Sequence, residues 1–247
     1  MAAIDTDIRK TLIALRQPDA LANRLRSENV NRVFVMGCGR SGTFLLTSTM
    51  ATFRNVGVFY SEVPVEYFGI INKHHDTIVL KRAANSYETI EQIPSEISIV
   101  YIVRHPFDIL TSIHPTARLK TGRYYHITPG RWLGETMALR WLVESNRLRT
   151  KIVRYEDLVR DPNRVQAELG SFLDLEIETK ASDFHNVCNP PPMAIQAMNG
   201  LRPFDGKSIG RWQSDPEAIN YLRSIRFRLS ECLPWIGRTF DYDITMN

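Results

Sequence analysis

The stretch Val33-Phe-Val-Met-Gly-Cys-Gly-Arg-Ser-Gly-Thr-Phe-Leu-Leu46 sets Gly37, Gly39 and Gly42 between a short apolar run and an apolar helical pattern. In a strand, tight loop and helix so arranged, backbone N–H groups and the helix N-terminus converge on one spot and favour an anion there. The interval from Gly37 to Gly42 matches the phosphate-loop frame G-x-x-x-x-G-K-[ST]. Thr43 stands where that frame carries lysine, and Phe44 where it carries the hydroxyl for magnesium. The loop is built for phosphate without the parts for metal-assisted chemistry on ATP. It suits a nucleotide that reacts with no metal required.

A second strand-end pattern is Ile99-Val-Tyr-Ile-Val-Arg-His-Pro-Phe-Asp-Ile-Leu-Thr-Ser112. The strand is expected to stop at Arg104, Pro106 suits the first turn of a helix, and Ser112 falls inside that predicted helix. Arg104 offers a planar fork to phosphate oxygens and Ser112 a hydroxyl. Charge-assisted bonds of this kind contribute about 1.5–3 kcal/mol each. Either pattern alone has an ordinary reading, a tight turn in one case and a surface arginine with a helix serine in the other. Tyr155-Glu-Asp by itself reads as a helix start with acids in its first turn, and Trp212 by itself as core.

Taken together, these motifs resemble the PAPS-dependent sulfotransferases (PAPS is 3′-phosphoadenosine 5′-phosphosulfate). Gly39-Arg-Ser-Gly-Thr43 is similar to the family's 5′-phosphosulfate loop, and Arg104 with Ser112 to its 3′-phosphate motif. Lys151-Ile-Val-Arg-Tyr-Glu-Asp-Leu158 resembles the family's Y-E-D-L passage, with Tyr155 near the adenine. Lys207-Ser-Ile-Gly-Arg-Trp212 resembles the G-R-W element of the carbohydrate and tyrosyl-protein branches, which closes over the cofactor. The four stand in family order over residues 33–212.

The resemblance implies transfer of a sulfuryl group to an acceptor hydroxyl, with adenosine 3′,5′-bisphosphate (PAP) as product. Gly39, Arg40, Ser41, Gly42, Thr43 and Phe44 would hold the phosphosulfate, and Arg104, Ser112, Tyr155, Lys207, Ser208 and Arg211 the rest of the donor. Lys81, ending Thr77-Ile-Val-Leu-Lys81, looks like the lysine that assists the leaving group, and Arg40 would share that work. In-line attack also needs a base for the hydroxyl proton. Cytosolic relatives place histidine two residues after the lysine, where this chain has Ala83. The glycan and tyrosyl-protein branches use a glutamate after the second strand, and Glu62 occupies that place, with Glu66 its neighbouring competitor. His74 and His75 read as loop residues, His105 and His114 as flanking the cofactor helix without chemistry, and Cys38 as packing. Leu45 replaces the tryptophan of cytosolic members, so the adenine contact would fall to Tyr155 or Trp212.

The implied acceptor is a hydroxyl on a glycan, glycolipid or other small molecule. Its specificity is expected in the loops 62–76, 117–131 and 181–204, where Tyr124, Tyr125 and Trp132 are candidates for stacking on sugar rings. Two other readings stay open: a P-loop small-molecule kinase, which Thr43 and Phe44 oppose, and a nucleotide-binding module without catalysis.

These side chains need a scaffold that brings several strand ends together. Periodicity predicts strands over 32–37, 57–61, 77–82, 98–104 and 150–154, alternating with helices over 42–54, 86–93, 106–114, 130–148, 163–173 and 215–231. That alternation implies an α/β fold, a P-loop-type three-layer sandwich with a central parallel sheet flanked by helices. One sulfotransferase domain is expected over 1–247, with a helical extension over 1–30 and a lid or substrate loop over the proline-rich 181–210. A length of 247 residues with 43% hydrophobic content allows a substantial core, while a net charge of +4 without a basic block gives no case for nucleic acid. Three scattered cysteines imply a reducing compartment. The N-terminus lacks an apolar leader and no run suits a bilayer, so a cytoplasmic location is expected. Oligomeric state is not legible.

Overall fold

The computed structural model describes residues 6–17, 19–71, 74–84, 86–114, 125–147, 149–197 and 200–246. Five parallel strands form its centre: β1 (Asn31–Met36), β2 (Val56–Val63), β3 (Thr77–Arg82), β4 (Ser98–Val103) and β5 (Thr150–Arg154), in the order β2-β3-β1-β4-β5. β1, β3 and β4 are buried almost throughout, as parallel strands covered on both faces must be.

Alternate residues divide two apolar layers. Val33, Val35, Val79, Val100 and Ile102 face α3 (Thr43–Met50) and α7 (Pro162–Leu173), meeting Leu46, Met50, Val165 and Leu169. Phe34, Met36, Leu80, Tyr101 and Val103 face α5 (Pro129–Glu144), α10 (Pro216–Ile225) and α11 (Leu233–Phe240), among them Trp132, Leu139, Leu222 and Ile236. The expected three layers are present. The helical N-terminal segment is present as α1 (Thr6–Ala14) and α2 (Ala20–Arg26), and α2 buries Leu21 and Leu25 against the second layer.

The chain leaves β1 towards β2 on one side and leaves β3 towards β4 on the other. With right-handed crossovers these connections lie on opposite faces, which opens a crevice at the carboxyl end of β1. Capped helices flank the sheet. Thr128, Asp161 and Asp215 each accept a backbone N–H in the first turn of α5, α7 and α10, and each precedes a proline that needs no partner.

Several boundaries differ from expectation. The helix after β4 is α4 (Pro106–Leu110) and stops short of Ser112, which lies in the following turn. Pro115 two residues beyond Ile113 disfavours helix at His114, and the chain has already turned. Residues 86–92 form a 3-10 turn kinked at Thr89 rather than an α-helix. The helix predicted over 215–231 breaks at Ile225 into a 3-10 turn, Arg226–Leu229. β2 runs on to Val63, with a register shift between Phe59 and Glu62 that brings Glu62 opposite Lys81. The segment 181–210 contains α8 (Phe184–Val187) and α9 (Pro192–Ala197), with Ala181 and Phe184 buried. Among the described residues no helix is long and apolar enough to cross a membrane.

Gln166 pins this segment to the α3 layer. Its amide donates to Thr52 Oγ1 and the Thr179 carbonyl, both at 2.7 Å, and its Oε1 accepts the Ala181 N–H at 2.9 Å. Gln166→Leu should cost about 2–4 kcal/mol, because the buried Ala181 N–H and the half-buried Thr179 carbonyl lose their partner. Urea denaturation should show a lower midpoint with an unchanged slope.

Candidate functional site

The loop after β1 turns through positive φ at Gly37 (147°), Arg40 (70°) and Gly42 (101°). A Cβ on Gly42 would lie 2.5 Å from Tyr155 Cδ2, and one on Gly37 2.6 Å from the Ile102 carbonyl, so both positions demand glycine. Arg40 has no such freedom, and its strained backbone is held from outside. Its carbonyl accepts from Arg104 Nη1 at 3.0 Å, and its own Nε donates to Ser112 Oγ at 3.0 Å.

Arg104, at the end of β4, is almost wholly buried. Its guanidinium stacks on the Tyr155 ring at 4.4 Å, Nη2 donates to the Ser208 carbonyl at 2.6 Å, and Asp108 lies at 4.0 Å. Nε is buried with no hydrogen-bond partner. Tyr155 begins α6 (Tyr155–Arg160), and its hydroxyl meets Ser208 Oγ at 2.6 Å. Asp108 Oδ2 accepts the Gly210 N–H at 2.9 Å, which ties the 206–210 turn over the loop. Burial pushes the Asp108 carboxyl up, against the Arg104 charge and that N–H.

A cavity of about 500 Å³ opens beside these groups, lined by Gly39, Arg40, Gly42, Thr43, Phe44, Leu45, Lys81, Arg104, Tyr155 and Ser208 among others. On the β3 side, Lys81 Nζ lies 3.7 Å from Glu62 Oε1 and 5.6 Å from the centre of the Phe44 ring, which itself stacks on Tyr60. Burial pulls the Lys81 ammonium down, and Glu62 opposes the shift. Glu62 keeps its side chain 58% exposed.

The structure thus gathers most of the sequence-predicted residues in one place. Ser112 touches the site through Arg40. Ser41 is buried beneath the loop, where its N–H bonds the Cys38 carbonyl, and Lys207 and Arg211 are exposed outside the lining. Trp212 is buried between His105 and Phe107, and Trp132 is core, so neither presents a face to the cavity. Tyr124 and most of 117–131 lie outside the described residues, and Tyr125 packs on Tyr221.

His126, Arg131 and Phe204 in the lining fall inside the loops expected to set specificity, without being singled out there, while Arg82 and Asp205 were not anticipated as lining residues and His114 was expected to stand apart from the chemistry although it lines the cavity too. The His114 and His126 rings are 4.9 Å apart. Burial, then the charges of His114, Arg40 and Arg131, lowers His126 to about 4, so it is neutral. Arg82 carried the one legible signal, its position at the end of β3 beside Lys81. Behind Arg82 and Arg131 lies Glu135, buried and raised to about 7, chiefly by burial, while Arg82 and Arg131 oppose that shift.

Comparison with known protein families and with curated proteins finds no match to this chain. Among solved structures, the sulfotransferase domain from the Synechococcus PCC 7002 olefin synthase is similar over 88% of this chain and 97% of its own, with a TM-score of 0.61 and 16% identity. The sulfotransferase domain from the curacin biosynthetic pathway is similar over 80% and 98%, with a TM-score of 0.54 and 14% identity. Mouse sulfotransferase SULT7A1, complexed with PAP, covers 90% and 91% at a TM-score of 0.50 and 16% identity. The likeness is one of fold: this chain has the fold of these sulfotransferases.

Glu135 gives the site a pH signature. Its carboxyl releases its proton near pH 7 when folded, against 4.5 for the ordinary group. Between those values the folded state therefore holds more protons, and stability conferred at low pH is lost as pH rises. The stability of the wild type relative to Glu135→Gln should fall from about pH 5 to about pH 7 and level off above, read from denaturation midpoints at each pH.

Proposed function

We propose that this protein is an enzyme that transfers a sulfuryl group from PAPS to an acceptor hydroxyl. The observation that supports the reading above all is the meeting of the glycine loop, the Arg40–Ser112 pair and Arg104 around one cavity. The fold likeness, including a neighbour complexed with PAP, agrees with it.

The residues suit such a donor. The orphaned Nε of Arg104 offers a buried, charged N–H, the kind of group that a phosphate oxygen satisfies. The loop N–H groups with Arg40, Thr43 and Lys81, which line the same cavity, would hold the phosphosulfate end of the donor. The cavity volume lies in the range of small-molecule sites. Ser208 and Tyr155 wall the Arg104 end, and Lys207 and Arg211 would reach the donor only from the outer face of the same turn.

In the proposed reaction the acceptor oxygen forms a bond to sulfur as the bond from sulfur to the bridging 5′-phosphate oxygen breaks. The hydroxyl proton passes to Glu62. Lys81 and Arg40 stabilise the charge that builds on the leaving phosphate, an effect strengthened by burial. Lys81 lies 3.7 Å from Glu62, so the base and the leaving-group cation of this reading are neighbours. The acceptor is a hydroxyl on a carbohydrate or glycoconjugate, a reading that the resemblance to the glycan branch supports.

Purified protein should bind PAP at micromolar levels in the presence of a chelator, seen as a thermal shift and by calorimetry. Loss of one charge-assisted pair in Arg104→Ala should weaken that binding by about 10–100-fold. A wild type with no shift would remove the donor assignment. Glu62→Gln should keep PAP affinity and lower turnover of labelled PAPS with acceptor by about 10²–10⁴-fold. Full activity in that variant would place the base elsewhere.

A further inference from the structure

The carboxyl ends of the strands divide the cavity. Arg104 on β4 and Tyr155 after β5 lie on one side of the glycine loop, and Glu62 on β2 with Lys81 and Arg82 on β3 lie on the other. On the proposed reading the first side takes the nucleotide, which leaves the β3 side to the acceptor. The inference below rests on that reading.

The charges on the β3 side do not cancel. Lys81 faces Glu62, one cation to one acid. Arg82 and Arg131 instead share a single oxygen of one carboxylate: Glu135 Oε1 lies 3.2 Å from Arg82 Nη2 and 3.8 Å from Arg131 Nε. Neither Glu135 oxygen accepts a well-formed hydrogen bond. Two guanidiniums around one acid leave a net positive charge, and the raised Glu135 carboxyl makes it larger near neutrality.

The two arginines differ in what remains open. Arg82 is buried and commits Nη1 to the Ala83 and Ala84 carbonyls at 3.1 and 2.8 Å. Arg131 makes one long side-chain hydrogen bond, from Nη2 to the Ala84 carbonyl at 3.4 Å, and its buried Nε only approaches Glu135 at 3.8 Å without a formed hydrogen bond. Its side chain is 26% exposed and faces the cavity. A Cβ on Gly39 would lie 3.3 Å from Arg131 Nη2, so the glycine leaves this guanidinium room against the loop. A planar fork with spare donors and an excess charge, set in a cavity, matches a carboxylate.

We propose that Arg131, backed by Arg82, is an anion subsite for the acceptor, which carries a carboxylate in addition to the hydroxyl that receives the sulfuryl group. Glu135 acts as the subsite's internal counter-ion. It holds the two guanidiniums in place when the cavity is free and gives up part of their charge to the incoming carboxylate.

The test is calorimetric titration of sodium benzoate into protein saturated with PAP, with benzamide as the neutral isostere. Benzoate should bind saturably and benzamide should not. Arg131→Gln should weaken benzoate by about tenfold or more while leaving PAP affinity within about twofold. Glu135→Gln should tighten benzoate severalfold, because both guanidiniums lose their competitor. The double variant Arg131→Gln/Glu135→Gln removes one charge of each sign and guards against a single variant that fails to fold. It too should bind benzoate weakly.

Equal binding of benzamide, displacement of benzoate by PAP, undiminished binding in the Arg131 variants, or weaker binding in Glu135→Gln would each overturn the subsite. A wild type that does not bind PAP would instead sink the donor reading. The benzoate titrations on nucleotide-free wild type and variants would then decide the anion subsite by themselves.

Discussion

A buried guanidinium must find acceptors or it destabilises the fold, and Arg104 is the group around which this molecule is arranged. Its partners come from several parts of the chain: the Arg40 carbonyl in the loop, the Ser208 carbonyl near the C-terminus, the Tyr155 ring at the start of α6 and Asp108 one turn along in α4. Removing any of these would leave the charge less well compensated in a medium that screens poorly. The same interactions fix the shape of the glycine loop, since the strained residue Arg40 is held through its carbonyl. Loop shape and local stability are thus carried by one side chain, the one that the proposed function also assigns to the donor.

Buried acids answer the crowd of cations. Asp108 lies beside Arg104, Glu135 beside Arg82 and Arg131, and Glu156 beneath the β4–α4 turn. Asp108 and Glu156 are spent on backbone N–H groups, Gly210 and His105 respectively. They act as structural acceptors. Glu135 has no such backbone partner, and its carboxyl is the one raised to about 7. A carboxylate that can lose its charge near neutrality lets neighbouring arginines face a variable load.

The sheet and its order of motifs were legible because parallel strands buried on both faces read as unbroken apolar runs, as in Val33–Met36 and Ile99–Val103. The glycine loop was legible for a different reason: positive φ and close approach leave few alternatives to glycine at 37 and 42. Arg104, Lys81 and Tyr155 were legible because each stands at or just beyond a strand end, and Ser112 because of its fixed spacing from Arg104. What escaped notice belongs to long-range packing. Arg131 and His126, within the stretch 117–131 expected to set specificity, enter the cavity from the start of α5 and the turn before it, where no strand-end pattern singles them out. Glu135 reads as an ordinary helix acid, and only the approach of α5 to β3 and β4 buries it. Trp212, marked by its G-R-W setting, is core because His105 and Phe107 occupy its faces.

The C-terminal tail shows how far such coupling extends. Tyr242 donates to Glu156 Oε2 at 2.8 Å, while the other oxygen of Glu156 accepts the His105 N–H at 3.0 Å. His105 in turn donates from Nε2 to the Asp243 carbonyl at 2.8 Å and accepts the Phe107 N–H at Nδ1. These contacts close a ring of hydrogen bonds around the residue next to Arg104. Burial and the adjacent Glu156 push the Tyr242 phenol up, so it stays a donor throughout the physiological range. The carboxyl end of β4 is therefore held from behind by residues some 140 positions later in the chain. A loop that binds by backbone geometry requires that kind of rigidity, because small displacements of a buried charge carry large electrostatic consequences.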